Sequence, residues 1–548
     1  MSASDKKKLR KEQNAAKLSE RQRKEQAEAK KLKIYTTVFV VVILAVLITA
    51  LSVIGINAYK NYGVTEHLTV AATVGDHKLS TVVMSYYYHD AVSELYSEYA
   101  SSGEEDVDTY LKEIVGLDTS VALDQQTNPQ TEQLWSEYFL SEAVKNARND
   151  YAMCDLAKEN DFKLSEEQKD NIDVTVSNIE MYASIYGYPN ADMYLRTSYG
   201  SGASLSSYRK YIERRTIAEA YAEHYKESLT FDDATMREYE ADKYNNYTSY
   251  TYSNVYLSIN AFLPSNATDE DRTAARVKLT EAADILATAT NVEELETKLN
   301  ELELEEGKRP TLYKEQTSLY PTLTATNADL AAWICDDART EGEVGAIENN
   351  ATSTNEAGEQ VTETNGYYIV IFHNKNENKM PLSNVRHLLV KFIGGTEDEE
   401  TGEVVYSEEE KAATREKAEG FLNTWKEGPA TEDSFVELLL ENSEDNGVET
   451  NEGLYEDISP ASGYVKNFLN WAIDPARQVG DTDIVETEYG YHVMYFSSHS
   501  DLTYRDQMIS DELRASNYDE WYKAATEAVT TSIGNTGKMK LDLILSPQ

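Results

Sequence analysis

The chain holds eight histidines, and two of them carry the first chemical signal. His387 lies in the apolar run Val385-Arg386-His387-Leu388-Leu389-Val390-Lys391, and His492 closes Thr487-Glu488-Tyr489-Gly490-Tyr491-His492. An imidazole can donate or accept a hydrogen bond and changes charge near neutrality, so two of them on β-like runs can orient a polar network or shape a local field. Metal chemistry is not indicated: there is no His-Glu-x-x-His pair, and the two cysteines lack ligand spacing. Gly200-Ser201-Gly202 is too short for a nucleophile elbow and reads as a helix break, and no glycine loop suits a phosphate.

The text around both histidines occurs twice. Ser383-Asn384-Val385 echoes Ser253-Asn254-Val255, and Trp471-Ala472-Ile473-Asp474-Pro475-Ala476-Arg477 echoes Trp333-Ile334-Cys335-Asp336-Asp337-Ala338-Arg339. A Gly follows each (Gly480, Gly342), and each copy closes on a β-like run, Tyr489–Phe496 and Asn365–Phe372. A repeat of roughly 130 residues is too long for a solenoid unit and fits a duplicated small domain. Aligned on this text, His387 and His492 correspond to Leu257 and Tyr368, which points to one working site and one retired one.

The elements that must position these residues read as mixed α/β. Val385–Phe392 predicts a strand, Ser407-Glu408-Glu409-Glu410 caps a helix running to Lys426, and a short helix is expected at Ser434–Leu440. Another helix near Val465–Trp471 and a strand at Tyr491–Phe496 complete the copy. The polar stretches Gly394–Val404 and Asn349–Asn365 read as surface insertions. Upstream, Leu68–Val74 predicts a strand and Gly75-Asp76 a turn. Residues 81–226 read as tyrosine-rich helices, with Ser165 and Gln168 as a capping box. In such helices tyrosines pack their rings and keep their hydroxyls wet, or form an adaptable surface for unfolded peptide. Beyond Ser500 the pattern is helical to about Ser532, and a helix bearing Trp521 needs another body to cover it.

Charge divides the chain sharply. Residues 1–33 hold 12 Lys/Arg and 5 Asp/Glu, a net of +7, and the remainder holds 39 and 91, a net of −52. So acidic a body excludes nucleic-acid binding by phosphate neutralisation. Ile34–Ala58 carries no charge, and at ~1.5 Å per residue a helix of that length spans a bilayer. The basic flank predicts a cytoplasmic N-terminus and an acidic body outside. Two cysteines in an exported chain make no disulfide framework, and Cys154 and Cys335 read as buried small hydrophobes.

The second copy resembles the parvulin family of peptidyl-prolyl isomerases over roughly residues 383–497. The resemblance rests on the two histidine motifs, on Asp445 ten residues after Phe435, on the Gly453-Leu454 step, and on Tyr464 and Phe468 at the spacing of the family's Met and Phe. It implies His387, Asp445, Thr487 and His492 as the catalytic set and Leu454, Tyr464, Phe468 and Tyr489 as the substrate-binding set. Such a site seats the proline ring and favours a twisted amide over a planar one, against a barrier of ~18–20 kcal/mol that needs no bond cleavage. The histidines then shape and polarise the site, with Thr487 and Asp445 fixing their tautomers. Tyr464 in place of Met, and Tyr455-Glu456-Asp457 in place of the family's aromatic pair, depart from the pattern near the proline seat.

The whole order is similar to PrsA-like and SurA-like extracytoplasmic foldases, although PrsA-like relatives are usually lipid-anchored. The expected fold is an α+β multidomain chain. It comprises a basic cytoplasmic tail (1–33), a transmembrane helix (34–58), a helical chaperone-like region (64–250), a degenerate parvulin-like module (251–377), an isomerase module (380–500), and a C-terminal helical segment packing on the chaperone region (501–548). The expected function is a membrane-anchored foldase acting on unfolded exported chains with X-Pro bonds, with no cofactor, no metal and no nucleic acid. The alternative is a catalytically silent holdase or envelope scaffold.

Overall fold

The computed structural model describes the chain except for residues 1, 101–105, 305–306, 355–358, 398–403, 544 and 546–548. It divides into two compact units, Met1–Ser228 with Asn517–Gln548, and Leu229–Ser516.

The first unit begins with a helix at Ala3–Asn61. Within it Lys30–Val53 is the one stretch, among the described residues, long and apolar enough to cross a membrane. Beyond it, strands Val70–Val74, His77–Ser80 and Thr531–Ile533 form a small antiparallel sheet. The reading of Thr503 to about Ser532 as helical is therefore corrected at its end. The helix stops at Glu527, and the β-branched run that follows adds a strand edge to Val70–Val74. The unit's longer helices include Thr81–Ala100, Trp135–Glu159, Glu166–Ile185, Ala191–Tyr199 and Leu205–Ser228. Ser165 and Gln168 form the expected capping box.

Three of the tyrosines depart from the expectation of wet hydroxyls, while Tyr182 and Tyr186 stay exposed. Tyr86, Tyr87 and Tyr88 are fully buried, and their hydroxyls reach Ser207 Oγ at 2.8 Å, Asp150 Oδ2 at 2.9 Å and the Leu541 carbonyl at 3.0 Å. A buried phenol is tolerated because each hydroxyl has a protein partner. Trp521 stacks on Tyr225 with centroids 3.6 Å apart. Cys154 and Cys335 are free thiols, and burial pushes both above the ordinary thiol range.

The second unit contains two four-stranded antiparallel sheets. The first has β1 (Ser249–Ser258), β2 (Leu312–Leu319), β3 (Val344–Thr354) and β4 (Gln360–Asn376). The second has β5 (Pro381–Lys391), β6 (Leu454–Ile458), β7 (Thr482–Thr487) and β8 (Gly490–Thr503). The strand orders are β2-β1-β4-β3 and β6-β5-β8-β7, the same topology twice. Much of the insertion expected at 349–365 is instead a continuation of the β3–β4 ladder, held by Thr352 and Thr362 across the strands at 3.0 Å; residues 355–358 lie outside the described set. Of the 394–404 insertion, Thr396–Glu397 pairs with Val404–Val405, and 398–403 lie outside the described residues.

Each face of the second sheet has its own core. Leu388, Val390, Val493 and Phe435 pack on one side beneath helix Glu408–Glu427, capped by Ser407. Val385, Phe468, Trp471, Met494 and Phe496 pack on the other. Strand alternation sends successive side chains of β5 to opposite faces, so His387 falls on the side of Val385 and Phe468.

Candidate active site

His387 and His492 sit on adjacent strands, where His387 pairs with Met494 and His492 with Leu389. They are diagonal neighbours two residues apart on one face, close enough for their side chains to meet. Both are buried, and their Nδ1 atoms lie 3.0 Å apart.

Glycine geometry sets the strand register around them. At Gly490, with φ at +149°, a Cβ would stand 2.1 Å from the Val390 carbonyl oxygen. The backbone approach that starts β8 therefore requires glycine. At Gly453, also at positive φ, the carbonyl accepts from the His387 N–H at 3.1 Å and fixes β6 beside β5.

The polar groups form one continuous line. The Tyr489 N–H donates to Thr487 Oγ1 at 3.3 Å, and Thr487 Oγ1 lies 2.9 Å from His492 Nε2. At the other end His387 Nε2 faces Asp445 Oδ2 at 3.9 Å, a charge contact rather than a hydrogen bond. The Tyr455 hydroxyl donates to the same carboxylate oxygen at 3.1 Å. Asp445 is held by its loop: Ser443 Oγ accepts from the N–H groups of Leu389, at 3.1 Å, and Asp445, at 3.3 Å.

Burial is the main force on the two imidazoles. It pushes His387 down to about 4, with the Asp445 charge opposing, and His492 down to about 3, where His387 adds to the effect and Asp445 again opposes. At neutral pH both rings are therefore uncharged.

An aromatic wall covers the pair. Phe468, on helix Lys466–Ala472, places its ring 5.3 Å from His387 and 5.4 Å from His492. Tyr455 lies 4.9 Å from His387, and Tyr464 lies 5.4 Å from Phe468. Asn467 Nδ2 donates to the Glu486 carbonyl at 2.9 Å and Trp471 Nε1 to Asp483 at 3.2 Å, which ties this helix to β7. The arrangement offers a greasy seat above neutral hydrogen-bonding groups, with no nucleophile and no ligand set for a metal among the described residues.

Of the residues expected from sequence, the structure brings together His387, His492, Thr487, Asp445, Phe468 and Tyr464. Tyr489 is 57% exposed at the β7–β8 turn, joined to the site through its backbone. Leu454 is not brought in: it pairs with Arg386, whose side chain faces away from His387, and alternation points the next residue, Tyr455, into the site. Tyr455, noted from sequence only as a departure near the proline seat, takes the place expected of Leu454. The signal was its place one step beyond Leu454 in a strand paired to Val385.

The first sheet also corrects an equivalence. Gly366 pairs with Ser258 as Gly490 pairs with Lys391, and Val370 pairs with Asn254 as Met494 pairs with His387. Asn254, not Leu257, thus occupies the position of His387, while Tyr368 occupies that of His492. The echo of Ser-Asn-Val misleads by three residues, an odd shift that reverses the face, and Leu257 is a core residue.

Residues 387–498 match the family model of the PPIC-type PPIase (rotamase) domain. No curated protein matches the chain. Among solved structures it is similar to a peptidylprolyl isomerase (PrsA) from Bacillus anthracis, at 16% identity and a TM-score of 0.18, covering 28% of this chain and 59% of that one. It is also similar to one from Bacillus cereus, at 16% identity and a TM-score of 0.17, covering 60% of this chain and 86% of that one. The likenesses are remote, and the assignment stands on the domain match. Residues 387–498 are a peptidyl-prolyl isomerase domain of the PPIC, or parvulin, type.

Proposed function

We propose that this protein is a membrane-anchored extracytoplasmic foldase that binds unfolded exported chains and isomerises their X-Pro bonds. The observation that carries the reading is the buried, uncharged His387–His492 pair beneath Phe468, inside the matched domain. Uncatalysed X-Pro isomerisation takes tens of seconds or longer, slow enough to limit folding after export.

In this reading the proline ring rests on Phe468, flanked by Tyr464 and Tyr455. Burial removes water from the amide, and an amide twisted out of plane loses the resonance that makes it polar. A dry seat therefore favours the twisted form over the planar one. His387 and His492 hold the floor rigid and set its field. Thr487 and Asp445 keep each ring in one tautomer, and Tyr489 lines the rim. No proton need leave either ring.

The first sheet, with Asn254 and Tyr368 at the histidine positions, is a degenerate copy without catalysis. The domain limits 64–250, 251–377, 380–500 and 501–548 follow the same reading. The Lys30–Val53 stretch serves as the anchor, with the basic tail inside and the acidic body outside.

The test is protease-free NMR exchange on an Ala-Pro peptide, with the full chain in lipid nanodiscs and its His492→Ala variant. Catalysis reduced roughly tenfold or more, about 1.4 kcal/mol in barrier, is expected for the variant. A folded wild-type chain that leaves exchange at the uncatalysed rate overturns the reading.

A further inference from the structure

The helical unit carries an apolar surface that neither its core nor the isomerase site uses. Helix Glu166–Ile185 buries Ile172, Val176, Ile179 and Ala183 along one side. At 3.6 residues per turn, Val174, Met181 and Ile185 fall on the opposite side, at i, i+7 and i+11. Tyr182 and Tyr186 flank this line, and Met193 follows on helix Ala191–Tyr199. All six side chains are 40–67% exposed. Folding does not account for them: Val and Ile are weaker helix formers than the polar residues usual on a solvent face, and Val174 and Ile185 reach no core.

The turn between the two helices is fixed. The Tyr188 N–H donates to the Ala183 carbonyl at 2.7 Å, with Gly187 at φ +74° as the left-handed residue that ends the first helix. The Tyr186 and Tyr194 rings lie parallel with centroids 6.1 Å apart, and Tyr188 meets Tyr194 edge-on at 5.4 Å. Asn190 accepts from the Met193 N–H at 2.9 Å and caps the second helix.

Charge narrows the occupant. The two helices carry six Asp/Glu against two Lys/Arg. Lys169 is taken by Glu166 at 2.5 Å, and Asp173 is taken by Arg209 at 2.6 Å. Glu167 and Asp170, exposed in the two turns before Val174, form no ion pair among the described residues. A second copy would bring the same acidic face against this one, and an anionic lipid surface would be repelled likewise. A polypeptide segment that is apolar with Lys or Arg beside it meets both features. Met and Tyr suit varied segments, because a thioether adapts its shape and a phenol gives large contacts at low entropy cost.

We propose that this face holds apolar segments of unfolded polypeptide that carry Lys or Arg at their flank. The proposal rests on the foldase reading for the class of partner, and the face belongs to a different unit from the histidine pair. An extended segment with alternate apolar residues fits the line. Three of them span ~13 Å at ~3.3 Å per residue, against ~16 Å from Val174 to Ile185 at ~1.5 Å per residue.

The experiment is fluorescence anisotropy of a labelled, proline-free Lys-Leu-Ser-Phe-Ser-Leu-Lys peptide on the full chain in phosphatidylcholine nanodiscs, with empty nanodiscs as the blank. A twin with Glu at both ends reports the charge. Val174→Gln, Met181→Gln and Ile185→Gln together should weaken binding at least ~10-fold. The three side chains are exposed and Gln forms helix at least as well as Val or Ile, so the fold is kept. The Lys-flanked peptide should bind about 3-fold more tightly than its twin, and Glu167→Gln with Asp170→Asn should erase that preference. Equal binding by the wild type and the triple variant, or none by the wild type, overturns the proposal. Equal binding of the two peptides overturns the basic flank. Pairing of nanodiscs in mass photometry, lost in the triple variant while peptide binding persists, assigns the face to a second copy and overturns the proposal too. Ala-Pro exchange should be the same in the wild type and the triple variant. Peptide binding without any catalysed exchange would sink the isomerase reading and leave this one standing.

Discussion

The Nδ1 atoms of His387 and His492 face each other at 3.0 Å, and two ring nitrogens at that distance hold one proton between them. Which ring carries it follows from the outer partners. His387 Nε2 faces the Asp445 carboxylate, where an N–H is favoured and a bare lone pair is not. His387 Nδ1 is then the acceptor and His492 Nδ1 the donor, which leaves His492 Nε2 to accept from the Thr487 hydroxyl. The expected state is His387 protonated at Nε2 and His492 at Nδ1, both neutral at pH 7. Long-range ¹⁵N–¹H correlation spectra of the two rings check this directly. Two rings with the same tautomer, or an imidazolium signature at neutral pH, would contradict the arrangement.

The same burial makes stability depend on pH with a definite sign. In the folded domain the imidazoles titrate at about 4 and about 3, and in the unfolded chain at the ordinary 6.5. Between those values the unfolded chain binds more protons, so acid favours unfolding. The contribution is present above pH 6.5 and is lost as pH falls through the window down to about 4 for His387 and about 3 for His492. A variant with Gln at both positions lacks this term. Its denaturation midpoint should fall less between pH 7 and pH 4.5 than that of the wild type, the difference amounting to at least ~1 kcal/mol. Parallel pH profiles would mean that the rings are not buried in the neutral form.

Tyr455 and Leu454 separate the geometry of the site from its sequence pattern. Tyr455→Phe removes the donor to Asp445 and should lower kcat/KM about 2- to 10-fold, the worth of one hydrogen bond of ~0.5–1.5 kcal/mol. Leu454→Ala, on the strand face of Arg386, should change kcat/KM less than about 2-fold. NMR exchange on an Ala-Pro peptide measures both, and the reverse order would return Leu454 to the seat.

Much of this was legible in the chain before folding. The two histidine motifs and the spacings between them point to His387, His492, Thr487, Asp445 and Phe468, and the structure brings these side chains together; the caps at Ser165 and Ser407 are legible because capping is local chemistry. What escaped depends on register, which is set by pairing between distant strands. Leu454 and Tyr455 are neighbours in sequence and on opposite faces in the sheet. The strand Thr531–Ile533 is too short to read as one from its β-branched residues alone, and it forms along the edge that Val70–Val74 offers.

The corrected register of the first sheet makes a final, opposed pair of expectations. If Asn254 rather than Leu257 stands at the His387 position, the two residues face opposite sides of β1. Leu257 is wholly buried with Val255, Leu279 and Ile369, so Leu257→Ala should cost roughly 2–5 kcal/mol. Asn254 holds a buried Oδ1 without a hydrogen-bond partner, so Asn254→Ala should be neutral or stabilise by up to ~1 kcal/mol. Hydrogen exchange of the β1–β4 amides, read by mass spectrometry on the full chain, isolates this sheet from the rest. Loss of protection in Leu257→Ala with none in Asn254→Ala is the expected pattern. Comparable loss in both would place Asn254 in the core and restore the alignment on Ser-Asn-Val.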